Sequence, residues 1–579
     1  MAAKQRRVVT RLKGFDDAVR STMERWKVPG LAITIVKDGE VVLQEGFGQR
    51  DVDRNLPVTP QTLFALGSGT KAFTTMALGL LVEDGKLDWD TPVRTYLPDF
   101  KLSDPFATER MTARDLVTHR SGLPRHDLAW YSSSESRAEL VRRMRYLEPN
   151  NDFRTVWQYQ NLMYMTAGYL VECLSGQTWE EFVRQRIFRS LEMNGSNFSV
   201  EVSQASPDYA LPYQEKDDAL KQMPFYSQWA VGPAGSINTS VADMSRWLLL
   251  HLGKGRYRET ALISEGQIRQ MQAPQMVMPQ ESKYAELSNV SYGLGWFVES
   301  YRGHDFVQHG GNIDGFSSLT TLMPRDNIGV VVLCNLNGTP VPMIACLDAY
   351  DRLLGLDPVP WSDRFKADES EFKAGIERSK TKDETDRIAG TQPSHPIESY
   401  TGDFAHPGYG LLSLKLVDGE LQAALNGLTL PARHYHYDTF EMEYAPFDVR
   451  FKATFSTNVR GDIDAVAIPL EPTVGDIVFR RSADTALRDP SFLARFVGEY
   501  RLLGAPMTVL MKGEQALLVR LPGQPDFELE PYRGTEFTFK GLSGFSIEFI
   551  LDEVGAVSEA IITQPGAVFT AARDRQGLP

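Results

Sequence analysis

One segment of the chain is apolar on every side, and this restricts where it can lie. A helix formed by residues 72–82 has no polar face, because large apolar side chains occur all around it: Phe73, Met76, Leu78, Leu80 and Leu81. A helix of this composition is stable only when other elements enclose it. Gly85 supplies a stop signal after it. We therefore expect a buried central helix that ends near Gly85.

The segments on both sides of this helix predict a mixed α and β domain. Residues 12–27 carry apolar side chains at helical spacing, and the apolar runs 31–36 and 41–43 flank a hairpin turn. Two further apolar runs, 319–323 and 328–333, are also joined by a short turn. Strands at both ends with helices between them predict one α+β domain of about 350 residues, a size that implies two lobes.

The carboxyl-terminal part of the chain contains an internal repeat. Residues 400–404, Tyr-Thr-Gly-Asp-Phe, resemble residues 496–500, Phe-Val-Gly-Glu-Tyr, and similar runs, Ile477–Phe479 and Ala567–Phe569, follow each copy. Two copies of one antiparallel module, each a small β-barrel, are the simplest explanation. Chance similarity between the strands of a meander is the alternative.

Composition shifts place the domain boundaries. Residues 358–396 are dense in charge, poor in large apolar residues and bracketed by prolines, which is typical of a solvated linker or a surface helix. We predict a first domain over residues 1–357, a charged linker over 358–396, a first barrel over 397–485 and a second barrel over 486–579.

The overall charge argues against several classes of partner. A formal net charge of -14 disfavours contact with nucleic acid or anionic lipid, whose phosphates repel an acidic surface. No stretch approaches the roughly 20 apolar residues of a membrane span, and Met1–Leu12 is not followed by the apolar core of a secretion signal. With residue 1 taken as the natural start, we expect a cytoplasmic protein that binds neither nucleic acid nor membrane.

The cysteines and the barrel histidines lack the spacing of metal ligands. Cys173, Cys334 and Cys346 are predicted to be buried free thiols. The histidines of the first repeat copy do not recur in the second, and we predict structural roles for them: His406, His434 and His436. No metal or other cofactor is expected.

The segment Ser68-Gly69-Thr70-Lys71, directly before the apolar helix, combines a nucleophile with a base. A serine three residues before a lysine at a helix start puts both side chains on one face, one turn apart. Lysine accepts the serine proton only when burial lowers its pKa, and the apolar helix supplies that burial. The helix amino terminus also favours negative charge beside the serine. The alternative is a helix-capping serine with a surface lysine.

Two later motifs follow in an order that resembles a known family. Residues 159–161 read Tyr-Gln-Asn, and residues 309–311 read His-Gly-Gly. With Ser68 and Lys71, this order resembles the serine β-lactamase and penicillin-binding protein superfamily, specifically its class C-like branch of esterases and D-aminopeptidases. Further segments that fit this family are residues 119–124, 233–235 and 292–296.

The resemblance covers about residues 15 to 350 and implies the architecture of the first domain. We expect a β-lactamase/transpeptidase-like catalytic domain, in which helices and a helical lobe flank an antiparallel sheet. The first barrel is similar to the lipocalin-like module that is often joined to these hydrolases.

The resemblance also implies residue roles. Ser68 is the nucleophile, Lys71 and Tyr159 share the proton transfers, and Asn161 hydrogen-bonds the acyl portion of the substrate or holds Lys71. The oxyanion hole consists of the backbone N–H groups of Ser68 and Asn312. The alternatives are that Tyr159 is a buried core tyrosine and that Asn161 caps the helix that follows it.

The third motif departs from the usual pattern, since His309 stands where penicillin-binding enzymes usually carry lysine. With an ordinary pKa near ~6.5, its imidazole is mostly neutral at pH 7. A fixed cation for a substrate carboxylate is then missing, which favours esters, amides or peptides over β-lactams. Gly310 and Gly311 are expected to let a bulky ligand approach the strand edge. The alternative is that His309 only packs within the strand.

These residues predict a serine hydrolase that acts through an acyl-Ser68 intermediate. An amide or peptide bond is the favoured target, because of the appended barrels and the resemblance to D-aminopeptidases. An esterase, lactonase or acyltransferase uses the same site, and a β-lactamase or a non-catalytic sensor is less favoured. The expected partner is a small ester, amide or short peptide, and the sequence leaves open whether the chain forms a homo-oligomer.

Overall fold

The computed structural model describes residues 10–279, 282–444, 449–483 and 485–574, so most of the basic segment Met1–Leu12 lies outside it. Contacts divide the chain into two compact units. The first unit consists of Met1–Asp386 with Glu471–Val474, and the second of Arg387–Leu470 with Gly475–Pro579. The boundary between residues 386 and 387 falls inside the segment that the sequence predicts as a linker. No helix in the described ranges is both long and apolar enough to cross a bilayer.

The first unit is built around a nine-stranded antiparallel sheet. The hairpin predicted near residue 38 and the two strands predicted near residues 320 and 330 all belong to it. In spatial order its strands are Met276–Val277, Leu287–Tyr292, Phe297–Tyr301, His304–Ile313, Phe316–Met323, Ile328–Cys334, Gly30–Lys37, Glu40–Asp51 and Leu56–Pro57. The first and last segments of the domain therefore meet in the middle of the sheet.

Helices cover both faces of the sheet, which explains why the strand Ile328–Cys334 is apolar without alternation. On one face, Phe15–Arg25 and Val341–Leu354 pack against a core that contains Ile33 and Val332. On the other face lies Val241–Leu252. The strands Phe316–Met323 and Ile328–Cys334 are buried at every residue. Burial on both faces removes the alternation of apolar and polar residues that a half-exposed strand shows.

The apolar segment 72–82 forms the helix Thr70–Glu83, which is buried from Thr70 through Leu81, as predicted. Phe73 stacks on Trp247 with 3.8 Å between ring centroids, so this helix packs against Val241–Leu252. The helices of the first unit are Phe15–Arg25, Thr70–Glu83, Pro105–Arg110, Ala113–Leu116, Arg137–Arg143, Asn161–Ser175, Trp179–Val183, Val200–Gln204, Gly232–Gly235, Val241–Leu252, Glu265–Met271, Val341–Leu354 and Trp361–Asp386. The predicted α+β class and helical lobe are confirmed.

The second unit contains two closed antiparallel barrels of eight strands each, as the repeat predicted. The first consists of Gly402–His406, Gly410–Val417, Glu420–Leu425, Leu428–His436, Thr439–Tyr444, Val449–Thr457, Ile463–Ile468 and Ile477–Arg481. The second consists of Gly498–Leu502, Ala505–Lys512, Ala516–Arg520, Phe527–Arg533, Glu536–Phe539, Ser546–Leu551, Val557–Gln564 and Ala567–Arg573. The similar sequences at 400–404 and 496–500 lead into the first strand of each barrel.

Three smaller predictions concern the linker, the thiols and the barrel histidines. The helix Trp361–Asp386 occupies most of the predicted linker. Cys334 and Cys346 are buried, but Cys173 is exposed near the end of its helix, so the prediction of burial was wrong for that thiol. The barrel histidines bond to nearby backbone: His406 accepts from Gly408 N–H, and His434 contacts the Tyr437 carbonyl. Within the described ranges, no group of acidic, histidine and cysteine side chains is placed to hold a metal.

Asp115 joins three segments of the helical lobe through a fully buried carboxylate. It accepts hydrogen bonds from the backbone and side chain of Thr112, from Arg120 Nε at 2.6 Å and from Arg154 Nη2 at 2.6 Å. Burial alone would raise the pKa of Asp115, but the hydrogen bonds and charges of Arg154, Arg120 and Thr112 outweigh it, and the pKa is lowered. The folded state therefore favours the ionised carboxylate.

We expect Asp115→Asn to destabilise the first unit by about 3 kcal/mol at pH 7, because the buried amide no longer balances the charges of Arg120 and Arg154, whose side chains are 16% and 44% exposed, or accepts all of their hydrogen bonds. A folded-state pKa below the unfolded value of about 4 stabilises the fold above that pH, and this contribution is lost as the pH falls through the folded pKa. The difference between variant and wild type should therefore shrink below about pH 4.

Urea denaturation followed by tryptophan fluorescence measures this, since all nine tryptophans lie between Trp26 and Trp361. The matched control is Asp90→Asn, because Asp90 is 68% exposed and pairs with Arg114 at the surface. Its loss should cost less than about 1 kcal/mol. Equal free energies of unfolding for the two variants at pH 7 would contradict the argument.

Candidate active site

Ser68 lies in the turn Gly67–Gly69, and the helix Thr70–Glu83 begins directly after it. Lys71 is in the first turn of that helix, and its side chain is fully buried. The distance from Lys71 Nζ to Ser68 Oγ is 3.0 Å. Serine and lysine thus lie one helical turn apart and within hydrogen-bond distance.

Two further acceptors surround the Lys71 amine. Asn161 Oδ1 and the Ala234 carbonyl oxygen each lie 2.9 Å from Nζ. Burial, together with the charge of Arg125, lowers the pKa of Lys71 well below its ordinary value, and Asp127 opposes this only in part. A neutral amine has two N–H donors, which match Asn161 and Ala234. Its lone pair is then left for the Ser68 hydroxyl.

Tyr159 places its ring against the same amine. Lys71 Nζ lies 4.7 Å from the centroid of the Tyr159 ring, and Arg125 lies 5.1 Å from it. Burial raises the pKa of Tyr159, and hydrogen bonding with the Ser68 side chain offsets only part of that rise. The phenol therefore stays protonated at neutral pH and is suited to donate a proton rather than to accept one.

The strand edge at Gly311 and Asn312 lies against the Ser68 turn. A Cβ added at Gly311 would be 2.9 Å from Ser68 N and 2.0 Å from the Leu66 carbonyl oxygen. A Cβ added at Gly67, which has a left-handed φ of 56°, would lie 3.2 Å from Asn312 N. The backbone N–H groups of Ser68 and Asn312 therefore come from two elements in direct contact. Gly311 permits this approach of the protein's own backbone, whereas the sequence suggested room for a ligand.

His309 is 2% exposed, and both of its ring nitrogens make hydrogen bonds within the protein. Nδ1 donates to the Gly310 carbonyl at 2.7 Å, because a carbonyl only accepts, and Nε2 lies 2.9 Å from the Tyr292 hydroxyl. Burial, with a smaller contribution from Lys71 when that amine is protonated, lowers the pKa of His309 to about 3. The imidazole is thus neutral at any ordinary pH, and its contacts are with the protein.

The structure adds residues that the sequence did not assign to the site. Asp127 Oδ1 accepts from Asn161 Nδ2 at 3.3 Å and from Trp130 Nε1 at 3.1 Å. Its Oδ2 accepts from Arg125 Nε at 2.6 Å. The ring of His119 lies 4.4 Å from that of Tyr159. His119 and Tyr292 belong to segments that fit the family, but Arg125 and Asp127 carry no spacing signal that points to Asn161.

The chain is similar to several known proteins. Residues 15–354 match the family described as Beta-lactamase, and residues 386–481 match a domain of unknown function (DUF3471). Over 506 residues the chain is 29% identical to Unguisins hydrolase ungD' of Aspergillus campestris (strain IBT 28561), covering 82% of this chain and 93% of that protein. It is 26% identical over 340 residues to Protein flp of Staphylococcus aureus (strain NCTC 8325 / PS 47), covering 57% of this chain and 64% of that protein.

A solved structure shows the same architecture. The octameric penicillin-binding protein homologue from Pyrococcus abyssi superposes with a TM-score of 0.56 at 25% identity, over 81% of this chain and 99% of that chain. The Beta-lactamase match spans more than half of the 579 residues and contains every residue of the site described above. The chain belongs to the Beta-lactamase family, within the serine β-lactamase and penicillin-binding protein superfamily.

Proposed function

We propose that the chain is a serine hydrolase that cleaves a small amide or peptide bond through an acyl ester on Ser68. The observation that supports this best is the buried amine of Lys71, 3.0 Å from Ser68 Oγ. Because burial keeps the amine neutral, it accepts the proton of the attacking hydroxyl. The family match and a relative named as a hydrolase support the same class of reaction.

The proposed reaction begins when Ser68 Oγ attacks the carbonyl carbon and its proton passes to Lys71 Nζ. Negative charge develops on the carbonyl oxygen, to which the N–H groups of Ser68 and Asn312 donate. Each such donor contributes roughly 3 kcal/mol in the transition state. The carbon–nitrogen bond then breaks, and the leaving amine takes the proton of the Tyr159 hydroxyl. Lys71 returns a proton to Tyr159, so both groups are neutral again when water attacks the acyl ester.

The protonated Tyr159 is suited to the release of an amine, and the neutral His309 disfavours a β-lactam that carries a carboxylate. An amine leaves only after it is protonated, and a buried tyrosine that keeps its proton is placed for that step. A substrate carboxylate needs a cation, but His309 is neutral and Arg125 is paired with Asp127. Ester cleavage and acyl transfer use the same residues and are the alternative.

Labelling with a fluorophosphonate probe tests the nucleophile. We expect one covalent adduct by intact-mass measurement, and its loss in Ser68→Ala. The matched control is Ser370→Ala, since Ser370 also stands three residues before a lysine, Lys373, whose side chain is 64% exposed. An exposed lysine lacks the burial that suits Lys71 to act on a serine, so Ser370 should not react. Labelling that survives Ser68→Ala would refute the assignment.

The pH dependence of kcat/KM tests the base. Because the pKa of Lys71 is lowered, the neutral form dominates at a lower pH than for an ordinary lysine, and kcat/KM should fall as the pH falls through that pKa. Lys71→Ala should reduce kcat/KM by about 10²- to 10⁴-fold. The control is His309→Gln: with a pKa of about 3, His309 does not titrate where the acid limb is measured. An acid limb that disappears in His309→Gln would contradict the role of Lys71.

The glycine pair offers a steric test of the oxyanion hole. Gly311→Ala should lower kcat/KM by about 100-fold or more, because the added Cβ meets the Leu66 carbonyl and moves Asn312 away from Ser68. Gly310→Ala is the matched control, since its Cβ would find its first neighbour, the Ser318 carbonyl oxygen, at 3.5 Å. Michaelis–Menten kinetics of both folded variants measure the difference. Equal losses of kcat/KM in the two variants would contradict the steric argument at Gly311.

A further inference from the structure

A small pocket opens beside the proposed nucleophile. It has a volume of about 20 Å³, and its walls include Phe198, Phe225, Phe316 and Tyr226. A cavity of this size holds one group about as large as a water molecule. Aromatic rings thus form part of its wall, beside polar side chains that include Ser227, Gln228 and Asn238.

The lining residues place this pocket next to Ser68. Ala65 stands three residues before Ser68, and Gly235 follows Ala234, whose carbonyl bonds to Lys71. Ile313 and Asp314 follow Asn312 along the strand edge. The groups expected to protonate the leaving amine, Tyr159 and Lys71, are not among its walls. The pocket therefore faces the acyl portion of a bound substrate rather than its leaving group.

Two of the polar groups that line this pocket, Asp314 and Ser236, are suited to a ligand with N–H donors. Asp314 Oδ2 accepts a hydrogen bond from the Tyr131 hydroxyl at 2.7 Å, and no ion pair to Asp314 occurs within the described ranges. Ser236 is 8% exposed, and its hydroxyl oxygen is buried without a hydrogen-bond partner among the described residues. Burial raises the pKa of Asp314, which the Tyr131 hydrogen bond opposes. A buried polar group without a partner is costly, so a ligand that supplies donors is favoured here.

The wall around Asp314 is fixed before any ligand binds. The Tyr131 ring stacks on Tyr226 with 4.4 Å between centroids and 11° between planes. The backbone N–H of Ser132 donates to the Tyr226 hydroxyl at 2.8 Å. The carboxylate therefore does not have to be ordered when a ligand arrives, which lowers the entropic cost of binding.

A primary ammonium group matches this pocket in size, charge and hydrogen bonding. It has three N–H donors, for which the Asp314 carboxylate and the Ser236 hydroxyl are acceptors. A methyl group fits in size but gives no hydrogen bond to the Asp314 carboxylate or the Ser236 hydroxyl.

We propose that the pocket formed around Asp314 and Ser236, here called the ammonium pocket, binds a primary ammonium group on the acyl portion of the substrate. This inference rests on the proposed acyl-Ser68 hydrolase and narrows its substrates to aminoacyl compounds. Asp314 determines specificity and takes no part in the bond changes at Ser68.

Matched pairs of methyl esters, in which an ammonium group replaces a methyl group, test this. The first pair is alanine methyl ester, as each enantiomer, with methyl isobutyrate. The second pair is β-alanine methyl ester with methyl butyrate, which places the ammonium group one carbon farther from the ester carbonyl. Wild type should have a higher ratio of kcat/KM for the ammonium member in at least one pair. Asp314→Asn should lower that ratio by about 10- to 100-fold while cleavage of the neutral ester is kept. Comparing the ratio between variants cancels the intrinsic reactivity of each ester.

The matched control is Asp305→Asn, which removes a surface carboxylate near the start of the strand His304–Ile313, the strand that Asp314 follows, where it pairs with Arg325. It should leave the ratio unchanged. The ammonium pocket is overturned if the ratio is unchanged in Asp314→Asn, or if both members of each pair lose kcat/KM equally. In either case, Ser68-dependent cleavage of the neutral esters leaves the proposed function intact. Absence of both ester cleavage and fluorophosphonate labelling overturns the proposed function and this inference with it.

Discussion

The arrangement of the site depends on keeping a lysine amine away from water. An ammonium ion loses several kcal/mol of solvation in such a position, so the neutral amine is favoured there. Lys71 has no exposed surface, and the helix that follows it is apolar on all sides. That helix therefore does more than fill the core, because it also sets the protonation state of Lys71, the proposed base. The hydrogen bonds to Asn161 and Ala234 then fix which way the lone pair points.

A second constraint is that two separate elements meet at van der Waals distance. The Ser68 turn begins a helix, whereas Asn312 lies in a strand that pairs with neighbours on both sides. Gly311 lacks the side chain that would separate them, and Gly67 adopts the left-handed conformation that brings the turn to the strand. Because each element is held by its own hydrogen bonds, the N–H groups of Ser68 and Asn312 are oriented before substrate arrives. Preorganised donors of this kind are what stabilise a developing oxyanion.

The sequence was informative where a signal is local. The helix near residue 75, the hairpin near residue 38 and the barrel repeat follow from periodicity and turn residues, and the family from three motifs in order. Hydrogen bonds between distant segments have no local sequence pattern that predicts them. Examples are the bond from Tyr131 to Asp314 and the bond from Asn161 to Asp127, which form only because the fold brings these segments together. Cys173 was misjudged because burial is only the usual state of a free thiol, whereas this residue is exposed near the end of its helix.

Three side chains around Ser68 are uncharged, whereas a carboxylate lies in the pocket wall beside them. Burial lowers the pKa of Lys71 and His309 and raises that of Tyr159, so all three are uncharged when a substrate binds. Neutral groups bind cationic and anionic acyl groups without strong preference. Asp314, two residues beyond Asn312, is a carboxylate in the pocket wall beside that centre. In the proposed reaction, discrimination by charge therefore comes from this wall, while the bond changes at Ser68 involve groups that carry no charge at rest.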